Sequence, residues 1–135
     1  SSAASDVYKR QQLHIPIGSP WSMEIGMTDI SKTKRRINLT TTVGKEESKY
    51  FFFKYPVPQL EKGIWLFLGI DLISFMEVFK GQVFRSLDHI SINSCCRLRR
   101  VFTMKQWNQY DIPNSYWLSG EIQQAMQLIQ YGSKK

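Results

Sequence analysis

The side chains that could do chemistry are few and badly placed for it. His14 and His89 lie far apart, and neither has a second His or a Cys at the spacing that lets side chains share a metal. Cys95 and Cys96 are adjacent. Neighbouring thiolates lack the two-residue gap that lets them converge on zinc, and a disulfide between them needs a strained geometry. Neither G-x-G-x-x-G nor G-x-x-x-x-G-K occurs, and there is no G-x-S-x-G elbow. Asp71, Glu77 and Asp88 gather around one predicted helix, but Asp71 stands where a helix N-cap belongs, which suits it better than the role of a general base. The sequence predicts a non-enzymatic chain with no catalytic residue, no metal, no cofactor and no small-molecule substrate.

What remains is charge. Lys and Arg number 18 against 11 Asp and Glu, a net +7 that favours anionic partners. The cations cluster in two runs, Lys32, Lys34, Arg35 and Arg36, and then Arg97, Arg99 and Arg100. Alternate residues of a strand share a face, so Lys34 and Arg36, and likewise Arg97 and Arg99, are expected to point to solvent together. These four are the candidate partner-binding residues. Equally, Lys and Arg on strand edges deter edge-to-edge pairing and need no partner. A nucleic-acid surface would interleave exposed aromatics with the cations for base stacking. The Arg97–Arg100 run has only Phe102, expected to point inward, which argues against that partner. A sugar or peptide module would need a concave face with exposed Trp, whereas Trp21 and Trp65 read as inward. No apolar run reaches the roughly 18 to 20 residues that cross a bilayer, so no membrane partner is expected. The absence of a disulfide framework suits a reducing, cytosol-facing setting. There the sequon Asn38-Leu39-Thr40 reads as chance.

The elements that must position these cations are mostly strands. With 42% hydrophobic and 13% aromatic residues, the chain has the apolar surface for one folded domain. Residues 1–11 are polar and aperiodic and read as a non-native, adaptor-like leader. The domain is expected over 12–118, beginning in mid-pattern at Leu13 as though earlier strands were missing. Met23, Ile25 and Met27 alternate with Glu24, Gly26 and Thr28. After turn residues Asp29–Thr33, Ile37, Leu39 and Thr41 are expected inward while Lys34, Arg36, Asn38 and Thr40 face out, completing a hairpin. Tyr50–Phe53 reads as a strand closed by Pro56 and Pro58. Gly63–Ile70, apolar on both faces, reads as a central one.

Asp71 then caps a short helix whose Leu72, Phe75, Met76 and Phe79 share a stripe, with Gly81 as its stop. Ile90 and Ile92 mark another strand and Ser94–Cys96 a turn. In the strand Arg97–Met104, Leu98, Phe102 and Met104 share a parity with Arg100. Either a bulge re-aims Arg100 or its guanidinium is buried against a partner. After a loop with Trp107, Tyr110 and Pro113, residues 119–135 are expected to be a C-terminal helix and tail, with Ser119 capping a helix along Ile122, Ala125, Met126 and Ile129 that ends at Gly132. The predicted fold is a mostly β, jelly-roll-like antiparallel β-sandwich with one short inserted helix and a C-terminal helix.

The segment Gly63–Met104 resembles the cilia- and flagella-associated protein 20 family. The resemblance is carried by Trp65 in an aromatic strand, the Asp71 cap, a short helix ending near Gly81, the strand with Ile90 and Ile92, and Cys96-Arg97-Leu98-Arg99-Arg100-Val101. It is closer still to the branch called cilia- and flagella-associated protein 20 domain-containing protein, through Val78-Phe79-Lys80-Gly81, Val83-Phe84, Ser86-Leu87-Asp88 and Ile112-Pro113 with Ser115. The resemblance implies a jelly-roll-like β-sandwich whose first strands precede this chain's start, without catalytic residues. It also implies a structural role in cilia or centrioles: the founding member helps join the tubules of axonemal doublet microtubules. Tubulin, or axonemal and centriolar proteins, are the expected partners, and the cytoplasmic cytoskeleton, axoneme or centriole the expected location.

Overall fold

The fold follows from where alternation is kept and where it is lost. A computed structural model describes residues 8–57, 60–93, 96–104 and 124–132. In chain order these hold β1 (Tyr8–His14), β2 (Ser22–Asp29), β3 (Lys34–Thr40), β4 (Glu47–Ser48), β5 (Phe52–Pro56), β6 (Trp65–Asp71), α1 (Leu72–Met76), β7 (Phe84–Ile92), β8 (Arg97–Met104) and β9 (Gln124–Ile129). They form a four-stranded sheet, ordered β8-β1-β6-β9, and a five-stranded sheet, ordered β4-β5-β3-β2-β7.

The β2–β3 hairpin has the expected register, with Met23 opposite Leu39 and Ile25 opposite Ile37. These four side chains, with Met27 and Phe53, are fully buried and meet Leu13, Leu66, Leu68 and Ile70 of the other sheet in one apolar cluster. Each such side chain contributes about 1.5 to 3 kcal/mol by leaving water, so the interior between the sheets is the main stabilising feature. β6 is central, as its two-sided apolar pattern requires: β1 and β9 flank it, and Phe67 is as buried as Leu66 and Leu68 although it points to the opposite face.

At the end of β6, Asp71 caps α1 as expected, accepting a hydrogen bond from the Ser74 backbone N–H at 3.2 Å. Burial pushes the Asp71 carboxyl up, the Ser74 and Ile73 amides pull it down, and Glu77 adds to the upward push, which prevails. Leu72, Phe75 and Met76 are buried. Phe75 lies edge-on to Tyr55 with centroids 5.2 Å apart, beside Tyr131.

Several expectations need correction. Both sheets are mixed, not purely antiparallel, because β3 pairs with β5, and β6 with β9, in parallel. α1 ends at Met76. Phe79 remains buried but belongs to the following turns, and Gly81, at φ +74°, turns the chain into β7 instead of ending the helix. In place of a C-terminal helix, Gln124–Ile129 is a strand laid along β6, with Trp65 opposite Gln124 and Ile70 opposite Ile129. The open edge of β6 offers a ladder of backbone partners, a stronger demand than a few tenths of a kcal/mol of helix propensity per residue. The last residues of the stretch read as leader join the fold: Tyr8 to Gln11 pair with β6 and β8, and Lys9 and Gln11 are buried. Thr40 is buried where Thr41 was expected to be. Leu98 is half exposed because β8 is an edge strand. Trp21 is buried as expected, but Trp65 is only half-buried, edge-on to His14. The expected turn at Ser94–Cys95 and the loop carrying Trp107, Tyr110, Pro113 and Ser119 lie outside the described residues.

Candidate interaction surface

Alternation along β3 splits the first basic run between two environments. Lys34 and Arg36 face outward, and Arg35, in phase with Ile37 and Leu39, faces in. The outward pair sits beside β2, whose Glu24, Gly26 and Thr28 share that face. β7 borders β2 on the far side, with Gly26 opposite His89. The β2–β7 register slips at Asp88, so both Asp88 and His89 are exposed although they are neighbours. Lys34 Nζ lies 3.7 Å from Asp88 Oδ2, and Arg36 Nη1 lies 3.7 Å from Glu24 Oε1. His89 Nε2 is 3.5 Å from Glu24 Oε2. Thr28 and Ser86 hydroxyls donate to Asp88. The His89 imidazole lies across Gly26, and a Cβ there would push that ring aside. A depression of about 210 Å³ over Gly26 is lined by Lys34, Arg36, Asp88 and His89. The expected cations do share a face, but that face supplies its own carboxylates. Exposed pairs of this kind are worth about 0.2 to 1 kcal/mol, so they exchange readily with a partner's charges.

Arg35 is the basic residue of the run to which the sequence assigned no role, and it is the one that is buried. Its Nε donates to Asp29 Oδ2 at 2.8 Å, its Nη1 donates to the Tyr50 carbonyl at 2.6 Å, and its guanidinium lies over the Phe79 ring at 4.9 Å. Asp29 Oδ1 accepts from the Ser31 and Thr33 amides at 2.9 and 3.0 Å. Burial pushes the Asp29 carboxyl up, but the Arg35 hydrogen bond, the two amides and the Arg35 charge together hold it below its usual range. The signal was available, since Arg35 has the parity of Ile37 and Leu39.

The second run lies elsewhere, on the edge strand of the four-stranded sheet. Arg97 and Arg99 are exposed. The register slips between Leu98, opposite Leu13, and Arg100, opposite Gln12, leaving Arg99 as the extra residue of a bulge. A bulge was one of the two expectations for Arg100, and it places that residue in register with Gln12. Cys96 is half-buried against the core and free. The structure therefore brings Lys34 and Arg36 together and sets Arg97 and Arg99 on a different sheet.

Among the described residues no three His, Cys, Asp or Glu side chains are grouped as metal ligands, and no helix is long and apolar enough to cross a membrane. The surface offers exchangeable ion pairs on a rigid sandwich, with the Asp71-capped helix and the Cys96–Val101 strand standing as the sequence motifs require. The sequence matches the family profile of the CFA20 domain over residues 11–120, and the chain belongs to the cilia- and flagella-associated protein 20 family.

Proposed function

We propose that this chain is a non-enzymatic structural and interaction domain of a cilium- or centriole-associated protein, and that its outward cations bind microtubules or other axonemal partners. The family's association with cilia and flagella sets the context. The observation that carries the reading is the pairing of Lys34 and Arg36 on one rigid face, with side chains 81% and 55% exposed. Arg97 and Arg99 extend the positive surface to an edge of the other sheet. Their weak intramolecular pairs can be traded for carboxylates on an acidic protein such as tubulin, and the binding weakens with salt because exposed charges are screened beyond about 8 to 10 Å.

Co-sedimentation with microtubules tests this. Reversing Lys34, Arg36, Arg97 and Arg99 to Glu together should lower association by roughly tenfold or more, a loss of about 1.4 kcal/mol, while the unfolding midpoint holds. A folded quadruple variant that sediments like the parent would sink the proposal.

A further inference from the structure

A different cleft holds cations with no acid among its described lining residues. The turn before β5 and the segment after α1 enclose about 370 Å³. Lys49 comes from the first of these segments and Lys80 from the second, Gln82 adds an amide, and Arg35, Tyr50 and Phe79 share the lining. The described lining carries Arg35, Lys49 and Lys80 and no carboxylate, with Asp29 answering Arg35 from outside it, whereas the depression over Gly26, which Arg35 also lines, includes Asp88. Three further features mark the cleft as a recognition site.

First, Lys80 is exposed and has no ion-pair partner among the described residues. Among the described residues the ion pair of Lys49 is an exposed contact with Glu47 at 3.3 Å. An incoming carboxylate can replace such a contact at little cost. Second, Arg35 is held rigidly by Asp29 and the Tyr50 carbonyl, which engage two of its five N–H donors. Third, Tyr50 and Phe51 remain 74% and 51% exposed, edge-on to each other at 4.4 Å. Exposed aromatics beside a fixed arginine are the composition that dominates protein-binding hot spots.

We propose that this cleft docks an acidic peptide segment of a partner protein, with side-chain carboxylates between Lys49 and Lys80 and an adjoining apolar residue against Tyr50 and Phe51. Charge complementarity selects the occupant: cations come from both segments, and the exposed rings suit a side chain next to the acid. The site is separate from the Lys34, Arg36, Arg97 and Arg99 surface, and each reading stands or falls alone.

The test is fluorescence anisotropy with a labelled oligoglutamate peptide, with and without a tyrosine beside the acids. The double variant Lys49→Glu with Lys80→Glu should lose affinity by about tenfold or more. Lys45→Glu with Arg85→Glu, two exposed cations that line neither depression, makes the same change in net charge and should bind like the parent. If the first pair fails to fold, Lys49→Gln with Lys80→Gln takes its place and should show a smaller loss in the same direction. The proposal is overturned if the parent does not bind oligoglutamate. It is equally overturned if both doubles weaken binding alike, or if single-stranded RNA binds the cleft more tightly than the acidic peptide.

Discussion

Removing the Asp29 carboxylate should be among the most damaging single changes on this domain's surface layer. Asp29→Ala takes away an acceptor fully shielded from solvent and leaves the Arg35 guanidinium, only 6% exposed, without its counter-ion. Stranding one member of a buried pair costs about 3 to 5 kcal/mol. The same change frees the Ser31 and Thr33 amides, but these lie at the turn, where water can replace the acceptor. At about 3 to 4 °C per kcal/mol for a chain of this size, the melting point should fall by roughly 10 to 20 °C, read by circular dichroism at neutral pH. Arg35→Met, which strands Asp29, should be costly too. The double variant should cost less than the sum of the two, with a coupling of about 0.5 to 3 kcal/mol. Because the folded Asp29 carboxyl is held below its usual range, its contribution is complete above the unfolded value and disappears as pH falls through the folded one. Asp29→Asn should therefore flatten the acid limb of the stability profile. A loss under about 1 kcal/mol for Asp29→Ala, or simple additivity in the double variant, would refute a coupled buried pair.

Two other outcomes follow from the core. Phe75→Ala should cost about 3 to 5 kcal/mol in urea unfolding, because the ring is fully buried and in contact with Tyr55 and Tyr131; an unchanged midpoint would place α1 in solvent. Burial lowers Lys9 from 10.5 to about 7, so between those values the unfolded chain binds more protons than the folded one and stability rises with pH. Lys9→Met should flatten that slope and raise the neutral-pH midpoint, whereas a level parental profile across the window contradicts it.

The sandwich was legible wherever side chains alternated cleanly. Met23, Ile25 and Met27 against Ile37 and Leu39 specify a face and a register, since slipping by one residue would turn every one of them to water. The Asp71 cap was legible for the same local reason: a carboxylate one residue before an apolar stripe has few other uses. Misreadings arose where the deciding partner is remote. Ala125, Met126 and Ile129 fit a helical stripe as well as a strand, and the choice is made by the β6 edge, some sixty positions earlier in the chain. The bulges at Asp88 and Arg99 leave no local mark, yet they decide which charges reach solvent. At Arg35 parity told which way the side chain faces, but not that Asp29 and the Tyr50 carbonyl would be its partners.

The placement of cations suggests where this fold can bind anions most strongly. On the outer face of a sheet, every cation has cross-strand neighbours within reach, and selection against like-charge contacts puts acids there. Lys34 and Arg36, on an inner strand of the five-stranded sheet, are accordingly answered by Asp88 and Glu24. A position on an edge or after a helix has fewer such neighbours. Arg97, Arg99 and Lys80 are exposed and make no ion pair among the described residues, while that of Lys49 is with its near neighbour Glu47. Among the described residues, positive charge without an ion-pair partner thus lies less on the sheet face than at β8 and at the cleft beside α1. A partner that binds by charge should lose more affinity from neutralising a cation at those margins than from neutralising one on β3, because on β3 each cation is already answered by a carboxylate and contributes less attraction to begin with.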